Sequence, residues 1–230
     1  MRMTWSKGAA GVVTAVRDVG AVGLGAFPMG MAFGVLVVHS GLAWWWASLF
    51  SGLVYAGSLE FLLLSLVLVT APLTTVAATA FFVNVRHVFY ALSFPLHRIA
   101  GRAGKAYGTF ALSDEAWVVT TRPGAASWAG RRILGAQGVV HGYWAGGATL
   151  GALAGGWVPA GLGGLDFAVT ALFVALALDA LRARPELFTP LLALGCALFA
   201  RFLAPGQLLL VAFALFTAGL LLRHVWRARA

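Results

Sequence analysis

The chain has 230 residues, of which 61% are hydrophobic and 10% charged, and its mean hydropathy is +0.90. Soluble domains carry about 25% charged residues, so this composition cannot cover a water-facing surface, and its hydrophobicity excludes disorder. The formal net charge of +9 would suggest nucleic acid in a soluble protein; here the placement of the charges points elsewhere.

The basic residues form clusters: Arg2, Lys7 and Arg17; Arg98 to Arg132; Arg182 and Arg184; Arg223, Arg227 and Arg229. Long apolar tracts separate them. A helix crosses a hydrocarbon core of about 30 Å with about 20 apolar residues. In chain order the tracts predict spans at 19–38, 44–69, 74–95, 135–156, 165–181, 187–203 and 207–223. They are continuous rather than alternating, which argues against a β-barrel. The expected fold is all-α: a polytopic integral membrane protein of about seven to eight segments, some broken or re-entrant. Residues 1–230 are expected to form a single transmembrane transporter domain, with 96–134 a basic loop or partly embedded segment. Arg17 and Asp18 precede the first tract, which reads as an uncleaved span rather than a signal peptide.

Basic loops face the cytoplasm. That places both termini, Arg122, Arg131, Arg132, Arg182 and Arg184 inside. One conflict remains, because three early spans leave residue 96 outside. Either an early segment is re-entrant, or residues 106–121 cross back. The stretch YGTFALSDEAWVVTT is apolar apart from Asp114 and Glu115 and favours a crossing or partial crossing.

Polar residues inside apolar tracts are costly and need a reason. In the first tract Pro28 removes a backbone donor and clashes with the carbonyl of Leu24. Two readings stand: a broken helix exposing carbonyls and a half-helix N-terminus, as in secondary transporters, or a simple kink. Gly30 and Gly34, and Gly147, Gly151 and Gly155, repeat at four-residue spacing, which suits close helix packing. Glu60 lies deep in the second tract, one turn from Ala56 and Gly57. It suits a proton or an ammonium group, or a structural pairing with Arg86. Asn84, Arg86, His87 and Tyr90 form a buried polar network or a solvated helix end. Ser113 suits a helix cap with Asp114 and Glu115 in the first turn; in a membrane segment the same acids would face an ion path. Asp166 reads as a cap, and Asp179 as an ion-pair partner of Arg182.

The single cysteine, Cys196, excludes an internal disulfide and a cysteine metal site. No phosphate-cradling loop, metal-ligand cluster or nucleophile elbow is present in the sequence. No metal or cofactor is expected, and no enzyme activity.

The motifs FPMGMAFG, SGLVYAGSLEF, NVRHVFYALSF, SDEAW and LDFAVTALFVALAL together resemble the AzlC/YgaZ/BrnF family, in order over residues 15 to 225. The resemblance implies the large subunit of a branched-chain amino acid exporter in a bacterial inner membrane, working with a small AzlD/YgaH-type membrane subunit. Matching positions are Pro28, Gly30, Phe33, Gly34, Gly57, Ser58, Asn84, Arg86, His87, Tyr90, Asp114, Glu115, Asp166 and Phe167. Glu60 departs from a pattern that commonly has Gln, and adds an ionisable group bearing on coupling or substrate choice.

The expected function is secondary export of branched-chain or other small apolar amino acids, with no nucleic acid partner. The candidate binding residues are Pro28, Gly30, Phe33, Gly34, Gly57, Ser58, Glu60, Asn84, Arg86, His87, Tyr90, Asp114 and Glu115. A zwitterion needs two opposite partners: Glu60 or backbone carbonyls for the ammonium, and Arg86 or a half-helix N-terminus for the carboxylate. Phe27, Met29 and Phe33 would line an apolar pocket. The alternatives are a membrane-embedded enzyme acting on lipid, with Asp114, Glu115 and His87 as acid–base groups, or a non-transporting structural subunit.

Overall fold

The computed structural model describes residues 5–157, 174, 178, 181 and 186–229. Asp166, Phe167, Asp179, Arg182 and Arg184 lie outside the described residues, as does most of the span read at 165–181. Among the described residues the chain is helical, without strands, as an all-α protein should be.

Helix α1 (Trp5–His39) has a non-helical residue at Gly20 and bends by 82° between Thr14–Gly20 and Gly25–His39. The break anticipated at Pro28 therefore lies upstream, on the glycines. Pro28 falls in the first turn of Gly25–His39 and is exposed. A residue there has no intrahelical donor to lose, so proline is tolerated and the helix runs on through it. Gly41, with φ of 83°, ends the helix by returning its N–H to Val38, a closure that favours glycine.

The next elements are short. Helix α2 (Trp45–Leu49) loosens into a π turn at Phe50–Val54, and α3 (Gly57–Leu68) starts after Tyr55, whose φ of 46° is left-handed. That conformation costs a bulky residue about 1–2 kcal/mol. Helices α4 (Leu73–Asn84) and α5 (Arg86–Ser93) join at Val85. Then come α6 (Arg102–Phe110), α7 (Asp114–Thr121) and α8 (Gly130–Ala154). Helices α9 (Phe188–Leu203) and α10 (Leu208–Arg229) close the chain.

The chain divides into two compact units, Met1–Leu68 with Asn84–Leu162, and Val69–Val83 with Gly163–Ala230. In the second, α9 and α10 form an antiparallel pair around the short turn Pro205–Gln207. Gly219 backs onto Leu192. Arg223 pairs with Glu186 and lies 4.2 Å over the Phe188 ring.

The first unit is built on α1 and α8, which run parallel. Asp18 meets Arg132 at one end, Phe27 and Met31 meet Gly147 and Gly151, and His39 meets the Gly155 carbonyl at the other. The two glycine repeats face each other. A methyl on Gly34 would strike the Ala148 carbonyl, and one on Gly151 would strike the Met31 carbonyl. Only glycine lets the two backbones meet here, which gives the four-residue spacing its meaning. At the starting end, Arg132 grips Asp18 with two hydrogen bonds, of 2.6 and 2.7 Å, and Arg122 approaches it at 3.6 Å. Both arginines stack on the buried ring of Trp128. The Arg132 hydrogen bonds hold the Asp18 carboxyl below its ordinary pKa, since they favour the charged form.

Large apolar side chains face outward. Leu73, Leu92 and Phe202 are 84%, 82% and 86% exposed. Leu73–Ser93 is a 21-residue apolar stretch that is long enough to cross a membrane and only 6% buried within the protein. A soluble core helix would be buried, whereas an apolar surface on this scale suits lipid.

Candidate functional site

Helix α8 serves as a ruler for the two interrupted segments. From one end, α2 contacts it through Ser48 and Thr149, and the Tyr55 ring lies tilted against His141 with centroids 4.1 Å apart. Helix α3 then turns back: Glu60 bonds Trp144, and Phe61 reaches Phe33, the ring that Phe50 also touches. From the other end, α6 climbs from Leu134 beside Gly104, past Gln137 at Gly108, to His141 against Tyr107 and Phe110. Helix α7 returns by Trp117 on Tyr90, and Arg122 just beyond it reaches Asp18. Both segments are therefore helical hairpins, entering from opposite ends of α8. Their tips, Tyr55–Ala56 and Ala111–Ser113, meet near His141, with Tyr55 and Phe110 ring centroids 6.0 Å apart. Residues 106–121 fold back rather than pass along the whole of α8.

Each return limb starts with a cap. The Ser113 hydroxyl accepts the Ala116 N–H at 3.2 Å, so the capping expectation for Ser113 is met and Asp114 and Glu115 occupy the first turn. At α3 the Glu60 carboxylate accepts the Ala56 N–H at 3.0 Å. Trp144 donates its indole N–H to both Glu60 oxygens, each at 3.0 Å. Glu60 is fully buried. Of the roles open to it, pairing with Arg86 is not the one adopted, because an indole and a backbone amide hold it instead.

Arg86 sits where α4 passes into α5 and joins the two return limbs. Its Nη2 donates to the Ser58 hydroxyl at 3.2 Å and pairs with Asp114 Oδ2 at 3.1 Å. The contact uses one prong of each fork. Arg86 Nε and Asp114 Oδ1 are buried without a hydrogen-bond partner, as are Tyr55 Oη and Asn84 Oδ1. Such groups cost about 1–3 kcal/mol each when they stay unpaired, and in native proteins they are nearly always paired. Arg86 and Asp114 remain 36% and 34% exposed as side chains, although Nε and Oδ1 themselves are closed off from the surface. Tyr90 stacks on Trp117 at 4.9 Å, and Trp117 donates to Ser93 at 2.8 Å. His87 lies edge-on to Tyr90 at 5.6 Å.

The candidate residues thus separate. Ser58, Arg86 and Asp114 touch, with Gly57, Tyr90, His87 and Glu115 close by on the same limbs. Asn84 lies two residues before Arg86, on an adjacent face. Glu60 forms its own centre with Trp144. Gly30 and Gly34 are helix contacts, and Phe33 is fully buried between Phe50, Phe61 and Trp144, so these line the support of the Glu60 centre and not an open pocket. Phe27 packs on Tyr143.

Sequence reasoning missed Tyr55, Trp144 and Gln137. Gln137 is fully buried and donates to the Gly108 and Ala111 carbonyls at 2.8 and 3.0 Å, closing the end of α6. A signal was present, since Gln137, His141 and Trp144 recur at helical spacing on one side of a glycine-rich apolar segment. Among the described residues no cluster could hold a metal ion.

Interrupted helices that gather charged groups inside an apolar helical protein are a build that membrane transport proteins use. The chain belongs to the AzlC family: the model for this family, described as AzlC protein, matches residues 21–158. It is 26% identical over 196 residues to the branched-chain amino acid transport protein AzlC of Bacillus subtilis, covering 84% of this chain and 77% of that one. It is 30% identical over 159 residues to an uncharacterized membrane protein of Helicobacter pylori, covering 68% and 69%. A further membrane protein, from Haemophilus influenzae, is 27% identical over 152 residues, with 64% and 62% covered. No solved structure matches. The family and these relatives support a membrane transport role and a membrane location.

Proposed function

We infer that this chain is a secondary transporter that exports branched-chain or other small apolar amino acids across the bacterial inner membrane, together with a small AzlD/YgaH-type membrane subunit. The observation that carries the reading is the meeting of two opposed hairpin tips at the Arg86–Asp114 pair, each member of which keeps one buried fork atom without a partner. Helix interruptions of this kind place polar backbone where it lines a path rather than faces lipid. The substrate class comes from the named Bacillus subtilis relative, and the small subunit from the family resemblance.

The hairpins also support a topology without the charge conflict. If α1 starts in the cytoplasm, α2–α3 enters from outside and returns outside. Leu73–Ser93 then brings the chain back in, and α6–α7 enters from the cytoplasm and returns there. Arg98, Arg122, Arg131 and Arg132 all fall on the cytoplasmic side, as the positive-inside rule requires. The single transporter domain of residues 1–230 is part of this proposal.

The test is leucine or valine efflux from loaded vesicles holding this chain with its small partner. Efflux that follows an imposed proton or potential gradient supports the reading. Absence of flux for any amino acid, with folded protein confirmed in the vesicles, refutes it.

A further inference from the structure

We propose that the second prongs of the Arg86–Asp114 pair form a binding site for the zwitterionic head of an α-amino acid. In this site the Arg86 Nε–H takes the carboxylate and Asp114 Oδ1 takes the ammonium. The inference rests on the transport reading and assigns the polarity of its site.

A guanidinium and a carboxylate that meet with nothing between them usually do so through two parallel hydrogen bonds. Here one prong pairs, at 3.1 Å, and Nη2 is shared with Ser58. The other two atoms, Nε and Oδ1, are closed off from solvent and make no well-formed hydrogen bond, and the Tyr90 hydroxyl lies beside the Asp114 carboxyl. Nε and Oδ1 are a donor and an acceptor of opposite charge on α5 and α7, beside the Nη2 that Ser58 of α3 also holds. That is the complement of an ammonium and a carboxylate on one carbon. A buried polar group gains from a partner, and a zwitterion supplies both at once.

Two other acidic groups are worse placed for the ammonium. Glu60 is already filled by the Ala56 N–H and the Trp144 indole and is walled off by Phe33 and Phe61. Asp18 is held by Arg132 and Arg122 at the far end of the α1–α8 pair. Because Nε and Oδ1 are occluded, the ligand enters only when a hairpin tip moves. The left-handed Tyr55 at one tip, whose buried hydroxyl lies against Ser113 of the other, is the junction that would open.

The experiment is equilibrium binding to the purified full chain with its small partner, using three probes of equal apolar tail. They are L-leucine, 3-methylbutylamine, which lacks the carboxylate, and 4-methylpentanoate, which lacks the ammonium. Wild type should bind leucine best. Arg86→Gln should weaken leucine and 4-methylpentanoate at least tenfold and leave 3-methylbutylamine within threefold. Asp114→Asn should weaken leucine and the amine at least tenfold and spare the acid. Arg86→Lys, which keeps the charge but removes the fork, should repeat the Arg86→Gln pattern and serves where Arg86→Gln does not yield monodisperse protein. Parallel loss of all three probes in each variant would make the pair merely structural and overturn the assignment while leaving the transport reading intact. Unchanged leucine binding in the variants would do the same. Wild type that binds none of the three probes would overturn the transport reading with it.

Discussion

The facing glycines of α1 and α8 allow a sharp test, because the two helices carry glycines of two kinds. A Cβ on Gly34 would lie against the Ala148 carbonyl oxygen and carbon and within 2.5 Å of the Ala152 nitrogen, all of it backbone. A Cβ on Gly142 or Gly146 would meet nothing within 4 Å. In Gly34→Ala the helices must part by roughly an ångström, and a gap of that size forfeits a quarter to a half of each contact's dispersion energy. Overpacking of this kind costs about 1–3 kcal/mol. Gly142→Ala should be neutral or stabilising by about 0.5–1 kcal/mol through helix propensity. Thermal unfolding in one detergent, followed by far-UV circular dichroism, separates the two. At about 2–4 °C per kcal/mol for a chain of this size, Gly34→Ala should melt several degrees below wild type and Gly142→Ala at or slightly above it. Equal melting temperatures for the two variants would refute the helix contact, and the parallel register of α1 and α8 with it.

Other consequences follow from single contacts. Trp144→Phe removes the donor shared by both Glu60 oxygens and should cost about 1.5–3 kcal/mol, the range for hydrogen bonds to charged groups. In a double-mutant cycle with Glu60→Gln the two losses should be clearly less than additive, and full additivity in the melts would count against the contact. Gln137→Leu leaves the Gly108 and Ala111 carbonyls without their donor, and should destabilise by about 1–3 kcal/mol while raising backbone exchange at the end of α6. Asp18 is held below its ordinary pKa by Arg132. Its contribution to stability is therefore fully present above the usual carboxylate value of about 3.9 and is lost as pH falls through the lowered one. Asp18→Asn should lower the melting temperature near pH 7 and narrow its gap to wild type in acid; a gap that does not shrink in acid would contradict the ion pair.

Several elements were legible in the sequence, and for local reasons. The glycine repeats, the Ser113 cap and the apolar tracts depend on neighbours within two turns. Pro28 left a break and a kink both open, because whether a proline breaks a helix depends on where that helix starts, and here the bend lies at Gly20–Gly25. Hairpins were harder. An apolar segment that turns back has the same composition as one that crosses, and direction is fixed only by distant contacts such as Ser48 to Thr149 and Arg122 to Asp18. The charge conflict around residues 96–121 was the one trace of it in the sequence. The partner of Glu60 stands 84 residues away at Trp144, and no local pattern announces a pairing over that distance. Arg86 and Asp114 were each legible as polar residues in apolar tracts, but not as a pair.

The claim that the hairpin junction is the transport site is tested most directly by counterflow. Vesicles loaded with unlabelled leucine, carrying the chain and its small partner, are diluted into labelled leucine, and uptake is compared between wild type and Arg86→Gln at equal amounts of folded protein. The account predicts transient accumulation in wild type, suppressed by external valine, and none in Arg86→Gln. Equal accumulation by both proteins would contradict it.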